Sequence, residues 1–119
     1  MTKYKAINLS PVIPSTDVAL TTNFFYDVLG FSIFRNYGYY SIVFNDAFSV
    51  HISEAKSECT SVSIYLEVDD IELFWNTVKG KIDMANSKPP FDQPYEMREA
   101  IVSIPNTKSK IIAGQSVIK

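Results

Sequence analysis

The chain has 119 residues, a common length for a single domain, and its formal charge is −2 at pH 7. Hydrophobic residues make up 46% of the sequence and charged residues 20%, as in ordinary globular proteins and unlike disordered ones. The Lys and Arg residues form no basic stripe along the sequence, so nucleic acid is not an expected partner.

Cys59 is the only cysteine, which excludes an intrachain disulfide and a thiolate cluster for a metal. No segment approaches the roughly 18 consecutive apolar residues that a membrane span requires. The first residues also lack the apolar region of a secretory signal. We therefore expect a cytoplasmic protein that does not contact membranes.

The first half of the chain predicts one strand, one helix and three further strands. Ile7 to Ile13 alternates apolar and polar side chains, which is typical of a strand. Ser15, Thr16 and Asp17 offer N-cap side chains, and apolar residues recur at helical spacing from Val18 until Gly30, a typical residue after a helix end. The three strands that follow are Phe31 to Arg35, Tyr39 to Phe44 and Phe48 to Ser53.

The second half predicts the same order of elements. Ser61 to Val68 alternates strictly and predicts a strand, after which Asp69 and Glu72 resemble a capping box for a helix that ends at Gly80. The three strand-like stretches that follow are Lys81 to Ser87, Met97 to Ile104 and Lys108 to Gln115. Lys88 to Glu96 carries three prolines and no periodicity, so we expect a loop there.

The two helices support an internal duplication. Phe24 to Gly30 aligns with Phe74 to Gly80, and both segments have an aromatic pair, a valine and a final glycine at matching positions. Chance similarity between two amphipathic helices is the alternative. Their aromatic side chains Phe24, Phe25, Phe74 and Trp75 are expected in the core. We predict one α+β domain over residues 1–119, built from two βαβββ modules at residues 4–56 and 59–117.

This order of elements, with Phe25 to Phe31 (FYDVLGF) at the end of the first helix, resembles the vicinal oxygen chelate superfamily. That superfamily includes glyoxalase I, extradiol dioxygenases, fosfomycin-modifying enzymes and bleomycin resistance proteins. Pro11 to Asp17 and Leu66 to Asp70 resemble the bleomycin resistance proteins most, and Pro89 to Arg98 resembles a loop before the seventh strand. The resemblance implies a curved, cup-like mixed sheet with its helices outside. Ile104 to Thr107 departs from the usual Asp-Pro-Asp-Gly turn, which leaves the register of the last strand open.

Metal-using members of the superfamily take one His or Glu ligand from each of the first, fourth, fifth and eighth strands. The resemblance places Ser10 at the first position, Ser63 at the fifth and one of the aliphatic residues 111–113 at the eighth. Only His51, at the fourth, has a donor suited to a divalent ion. We therefore predict neither a metal nor another cofactor.

Strand alternation predicts a hollow lined by hydroxyl groups and aromatic edges, which suits a neutral or mildly charged organic ligand. The candidate ligand-binding residues on the strands are Ser10, Tyr39, Ser41, His51, Ser63 and Tyr65, and those of the following loop region are Phe91, Tyr95 and Arg98. His51 has two alternatives, a structural histidine or an imidazole that faces a ligand. Arg98 either binds a charged group or pairs with Glu96 at the surface.

The resemblance implies a metal-independent protein that sequesters a drug or metabolite in a cavity at a homodimer interface, as bleomycin resistance proteins do. The alternative is a metal-dependent lyase or oxidoreductase of the glyoxalase or dioxygenase type. That function requires donors from a partner subunit, or His51 as a base without metal. A third possibility is a structural or regulatory domain whose aromatic side chains fill the hollow.

Overall fold

The computed structural model describes residues 4–57 and 60–117, so Cys59 lies outside the described residues. The strands are β1 (Val12–Ser15), β2 (Ser32–Asn36), β3 (Tyr40–Asn45), β4 (Phe48–Glu54), β5 (Ser63–Glu67), β6 (Lys88–Asp92), β7 (Met97–Ser103) and β8 (Lys110–Ser116). The α-helices are α1 (Val18–Asp27) and α2 (Ile71–Val78). None of the helices in the described ranges is long and apolar enough to cross a membrane.

The strands form two sheets of identical topology. Their orders are β1-β4-β3-β2 and β5-β8-β7-β6. The first strand of each set is parallel to the fourth, and the other pairs are antiparallel. This arrangement confirms the predicted α+β class and the repeated order of elements.

Aspartate side chains start both helices. Asp17 Oδ1 accepts a hydrogen bond from the Leu20 amide at 3.1 Å, as predicted. In α2 the cap is Asp70, which accepts from the Leu73 amide at 3.0 Å, so the prediction of Asp69 was wrong by one residue. Asp70 is the last residue with extended backbone before the helix, and only from that position does a short carboxylate reach the third helical amide.

The core lies between the sheets and their helices. It contains the expected aromatic residues Phe24, Phe25 and Trp75, and Phe74 packs against it partly buried. Aliphatic residues of the inner strands complete it: Ile13, Val43, Val50, Ile52, Val102, Ile104 and Ile111. Gly30, three residues after the end of α1, adopts a φ of 76°, a conformation that a residue with a side chain rarely takes.

The first strand is shorter than predicted. It begins at Val12, and the side chains of Ile7 and Leu9 are 84% and 95% exposed. Pairing with β4 starts where the Pro11 carbonyl accepts from the His51 amide at 2.9 Å. An alternating sequence alone does not make a strand, because a strand also needs a neighbour that satisfies its backbone.

The region before β7 also differs from the prediction. Residues 81–87 form no strand but lie mostly in 3₁₀ turns at Lys79–Lys81 and Met84–Asn86, with Asp83 capping the second turn. The expected loop is instead strand β6. Its prolines are tolerated because β6 is an edge strand with one neighbour, and its register shifts between Lys88 and Phe91.

One face of each sheet packs against its helix, and we call the opposite face the hollow face. In β4, Val50 and Ile52 are buried on the helix side, so Ser49, His51 and Ser53 lie on the hollow face. By the same alternation, the hollow face of the second sheet carries Ser63, Tyr65, Glu67, Glu99, Ile112 and Gly114.

Candidate functional site

The hollow face of the first sheet holds two hydrogen-bonded groups of side chains. His51 Nδ1 lies 2.6 Å from the Tyr40 hydroxyl, and the two rings meet edge to face with their centroids 5.5 Å apart. The hydroxyls of Ser10 and Ser49 bond to each other, and the Asn8 amide donates to them at 2.9 and 3.1 Å. The structure thus brings Ser10, which precedes β1, next to Ser49 of β4, two residues before His51.

The contact with Tyr40 restrains the His51 ring and occupies one of its nitrogens. The other nitrogen, Nε2, is left to meet a ligand as a donor or an acceptor, depending on the tautomer. The structural alternative for His51 is therefore observed at Nδ1, and the ligand-facing alternative remains a prediction that concerns Nε2. Tyr40 was not predicted here, because the sequence placed Tyr39 and not Tyr40 on this face.

The second sheet carries a buried carboxylate that the sequence reasoning missed. Glu99 is only 2% exposed. Its Oε2 accepts from the Tyr65 hydroxyl at 2.8 Å, and its Oε1 accepts from the Tyr95 hydroxyl at 2.7 Å and from the Gln93 amide at 3.2 Å. The available sequence signal was a charged residue with apolar residues, Met97 and Ile101, two positions before and after it on the same face of the strand.

Gly114 makes this cluster possible. It pairs with Glu99 across β7 and β8, and a Cβ atom at Gly114 would overlap the Tyr65 hydroxyl and lie 2.8 Å from its Cζ. The Tyr65 side chain therefore crosses over the glycine to reach Glu99. Here the residue is small because another side chain takes the space that its own would fill.

The environment keeps both tyrosines protonated. Burial of the Tyr65 hydroxyl and its hydrogen bond to Glu99 raise its pKa to about 12. The hydrogen bond to Glu99 also raises the pKa of Tyr95. Both oxygens of the Glu99 carboxylate thus accept hydrogen bonds from uncharged donors.

Ser63 and Phe91 lie close to this cluster. Ser63 is exposed on the hollow face of β5, two positions before Tyr65. Phe91 pairs in register with Glu99, and the Lys88 ammonium lies 4.5 Å from the centroid of its ring. The structure therefore groups the predicted residues Tyr65, Tyr95 and Phe91 around a carboxylate.

Ser41 does not face the hollow, so its predicted orientation was wrong. It is fully buried on the helix side, and its hydroxyl lies 2.6 Å from the Thr22 hydroxyl of α1. The alternation of β3 is shifted by one residue from the prediction, which moves every side chain to the opposite face. Tyr39 precedes the strand and is 64% exposed, with its ring next to that of Tyr37.

Arg98 is also turned away from the hollow. It follows Met97 and precedes Glu99 in β7, so its side chain leaves the sheet on the side of α2. There it donates to Glu72 at 2.7 Å and to Asp92 at 3.1 Å, and the expected surface pair with Glu96 does not form. Two carboxylates already satisfy this guanidinium, so it is not part of the candidate site.

Three of the positions that the resemblance predicts for metal ligands carry no usual ligand of a divalent ion. Ser10 is bonded to Ser49, and Ser63 offers a neutral hydroxyl. The eighth-strand position on the hollow face is Ile112, which pairs with Tyr65. Within residues 4–57 and 60–117, no three His, Cys, Asp or Glu side chains are grouped so as to hold a metal.

Two clefts of ligand size adjoin these groups. One, of about 500 Å³, lies over the first sheet and is lined by His51, Ser49 and Asn8 together with Phe34, Phe44 and Phe48. The other, of about 460 Å³, lies between the sheets and is lined by residues that include Leu9, Phe48, Tyr65 and Glu67. Small-molecule sites commonly measure about 300–1,000 Å³. The third alternative, a domain whose aromatic side chains fill the hollow, predicts no clefts of this size there.

Solved structures of other proteins share this architecture. The bleomycin-binding protein of Streptomyces verticillus, crystallised with copper(II)-bleomycin, is 22% identical with a TM-score of 0.77, over 93% of this chain and 97% of that one. A bleomycin resistance determinant encoded on transposon Tn5 is 20% identical with a TM-score of 0.79, over 95% of this chain and 100% of that one. A glyoxalase/bleomycin resistance protein/dioxygenase from Nocardioides is 12% identical with a TM-score of 0.76, over 98% and 87%.

Neither a protein-family model nor a curated protein matches the sequence. At the identities of these solved structures, the likeness establishes the fold. The chain has the fold that these bleomycin-binding and glyoxalase/bleomycin resistance proteins share, as the resemblance implied.

Proposed function

We propose that the chain is a metal-independent binding protein that sequesters a small organic molecule, a drug or a metabolite, in its hollow. The observation that carries the proposal is the pair of ligand-sized clefts beside positions where Ser10, Ser63 and Ile112 replace metal ligands. The similarity in fold to bleomycin-binding proteins, one of them crystallised with its drug, supports a binding role.

The alternative function, a metal-dependent lyase or oxidoreductase, has little support from the described residues. It requires several protein ligands on the hollow face, and His51 alone supplies an imidazole there. We therefore expect the ligand to leave the protein chemically unchanged.

We also propose that two copies of the chain form the complete binding site. The radius of gyration is 15.2 Å, whereas a compact chain of this length has about 13–14 Å. The molecule measures 45 × 39 × 25 Å, and it exposes Ile7, Leu9 and Phe48 at or near the clefts. A second copy that covers these side chains would close the hollow and bury the apolar surface.

Isothermal titration of the chelator-treated protein with metal-free bleomycin and with copper(II)-bleomycin tests the proposal. We expect saturable binding without added metal, and recovery of the intact drug by mass spectrometry. Phe48→Ala should weaken binding about tenfold, because Phe48 lines both clefts and is 68% exposed.

Leu73→Ala is the matched control, since Leu73 is a similarly exposed apolar residue, at 63%, on α2 outside the hollow. It should bind as the native chain does. Binding that requires a divalent metal, or conversion of the ligand to a product, would contradict sequestration. Absence of binding to bleomycin alone would exclude this drug as the ligand.

A further inference from the structure

The hydrogen-bond partners of the Glu99 carboxylate include no cation, and the Lys88 ammonium nearby lies against the ring of Phe91 instead. Among the residues that the structure describes, Glu99 forms no ion pair, and its partners are the neutral donors Tyr65, Tyr95 and Gln93. Burying an unpaired charge is unfavourable, and proteins usually pair a buried carboxylate with a cation or bind a metal with it. A carboxylate held in this way attracts any cation that reaches its surroundings.

Glu67 adds a second carboxylate to the hollow face. Glu67 pairs with Gly114 on one side and Glu99 pairs with it on the other, so the two carboxylates lie on strands that flank β8. The backbones at Glu67 and Glu99 are therefore roughly 10 Å apart, because two strand spacings separate them. Arg98 is on the opposite face with Glu72 and Asp92, and the Lys88 ammonium stacks on Phe91.

The two tyrosines cover the carboxylate without closing it off from a ligand. Tyr65 and Tyr95 are 47% and 59% exposed, so part of each ring remains accessible while its hydroxyl reaches Glu99. Aromatic faces attract organic cations, and a cation above them also interacts with the carboxylate beneath. Tyr65 in addition lines the cleft between the sheets, which connects the cluster to the candidate site.

We infer that Tyr65, Tyr95 and Glu99 form a subsite for an organic ammonium group of the ligand. The inference rests on the proposed function, because it assigns a chemical class to what the hollow binds. It changes the expectation of a neutral or mildly charged ligand to one that carries at least one amine. The rest of the ligand would lie against the apolar side chains of the cleft, among them Phe48 and Leu9.

Two small probes of similar shape test the subsite: phenethylammonium and the neutral phenethyl alcohol. Each is titrated into the isotopically labelled full chain, and the ring resonances of Tyr65 and Tyr95 are followed by NMR, with Tyr→Phe variants for assignment. We expect both rings to respond, and phenethylammonium to bind about tenfold more tightly. Equal affinities, or no response at either ring, would overturn the inference.

Glu99→Gln removes the charge and keeps the shape of the side chain. The variant should therefore bind phenethylammonium and phenethyl alcohol with about equal affinity. Glu72→Gln makes the same chemical change on the helix side of the sheet and should preserve the preference for phenethylammonium. If Glu99→Gln lowers only thermal stability and leaves the preference intact, the carboxylate is purely structural and the inference is wrong.

These outcomes separate the subsite from the proposed function. The comparison in the native chain does not depend on whether Glu99→Gln folds. Equal binding of the two probes in the hollow would reject the ammonium subsite and leave sequestration standing. Failure of sequestration is observed independently, as metal-dependent binding or conversion of the drug in the bleomycin titration.

Discussion

At the scale of single residues, the Glu99 cluster depends on Gly114 having no side chain. The Tyr65 ring occupies the place where a Cβ at Gly114 would lie, and from there its hydroxyl reaches Glu99. A glycine inside a strand weakens the strand and is usually kept for a reason. Here the reason is the approach of a ring from a neighbouring strand.

Gly114→Ala should therefore destabilise the protein by about 1–3 kcal/mol, since the new methyl group displaces Tyr65 and breaks its bond to Glu99. Gly80→Ala is the control, because no atom lies within 4 Å of a Cβ at Gly80 and its φ is not positive. It should leave the free energy of unfolding unchanged or raise it by less than about 1 kcal/mol. Urea denaturation measures both, and equal effects of the two substitutions would contradict the packing described.

The Tyr65 hydroxyl should also make stability depend on pH in the alkaline range. Its pKa is raised from 10.0 to about 12 in the folded protein, so the folded state favours the neutral form. The resulting stabilisation is present in full below pH 10 and is lost as the pH rises towards 12. We expect the difference in unfolding free energy between the native chain and Tyr65→Phe to shrink across that interval. A difference that stays constant would show that the hydroxyl is not held by Glu99.

The sequence predicted some site residues and missed others for one physical reason. Alternation identifies which residues share a face, but it does not fix which face meets the helix. The choice was correct for β4 and placed His51 in the hollow, whereas β3 was shifted and Ser41 was assigned to the wrong side. Glu99 and its contact with Tyr65 depend on pairing between distant strands, which local patterns do not contain.

At the scale of elements, the strongest local signals gave the most accurate predictions. Both helices have an aspartate cap and an apolar stripe, and they lie close to where the pattern placed them. β1 and β6 depend instead on what lies beside them. β1 begins only where β4 supplies a partner, and β6 is stable despite Pro89 and Pro90 because it lies at an edge.

The exact cap of α2 is testable with two adjacent residues of the same type. Asp70→Ala should lower the free energy of unfolding by about 1 kcal/mol, because the Leu73 amide loses its acceptor. Asp69→Ala removes a similar charge near the same helix end and should have a smaller effect. Denaturant titration of both variants distinguishes them, and a larger effect at Asp69 would favour the cap that the sequence suggested.

At the scale of the whole molecule, the order of elements and the resemblance that it supports together predicted the fold. Two βαβββ units with matched helix ends leave few topologies, and the observed sheets have the same strand order. How copies of the chain associate was not predictable in this way, because it depends on surfaces. Exposed Ile7 and Leu9 before β1 are the residues that we expect a second copy to cover.

Sedimentation of the native chain over a range of concentrations should therefore show a dimer. Leu9→Ser should weaken the dimer about tenfold, since it removes an apolar side chain that is 95% exposed in the single chain. Leu20→Ser, at an exposed position of α1, should not change the association. A native chain that remains monomeric at all concentrations would remove the shared cavity from the account.

The central claim is that the hollow binds without a metal, and metal stoichiometry tests it most directly. The purified protein is incubated with Zn²⁺, Ni²⁺, Mn²⁺ or Fe²⁺, dialysed and analysed by mass spectrometry for metal per chain, beside His51→Ala. The account predicts only trace metal in both proteins, because Ser10, Ser63 and Ile112 provide no suitable ligands. Stoichiometric metal in the native chain that His51→Ala abolishes would contradict it.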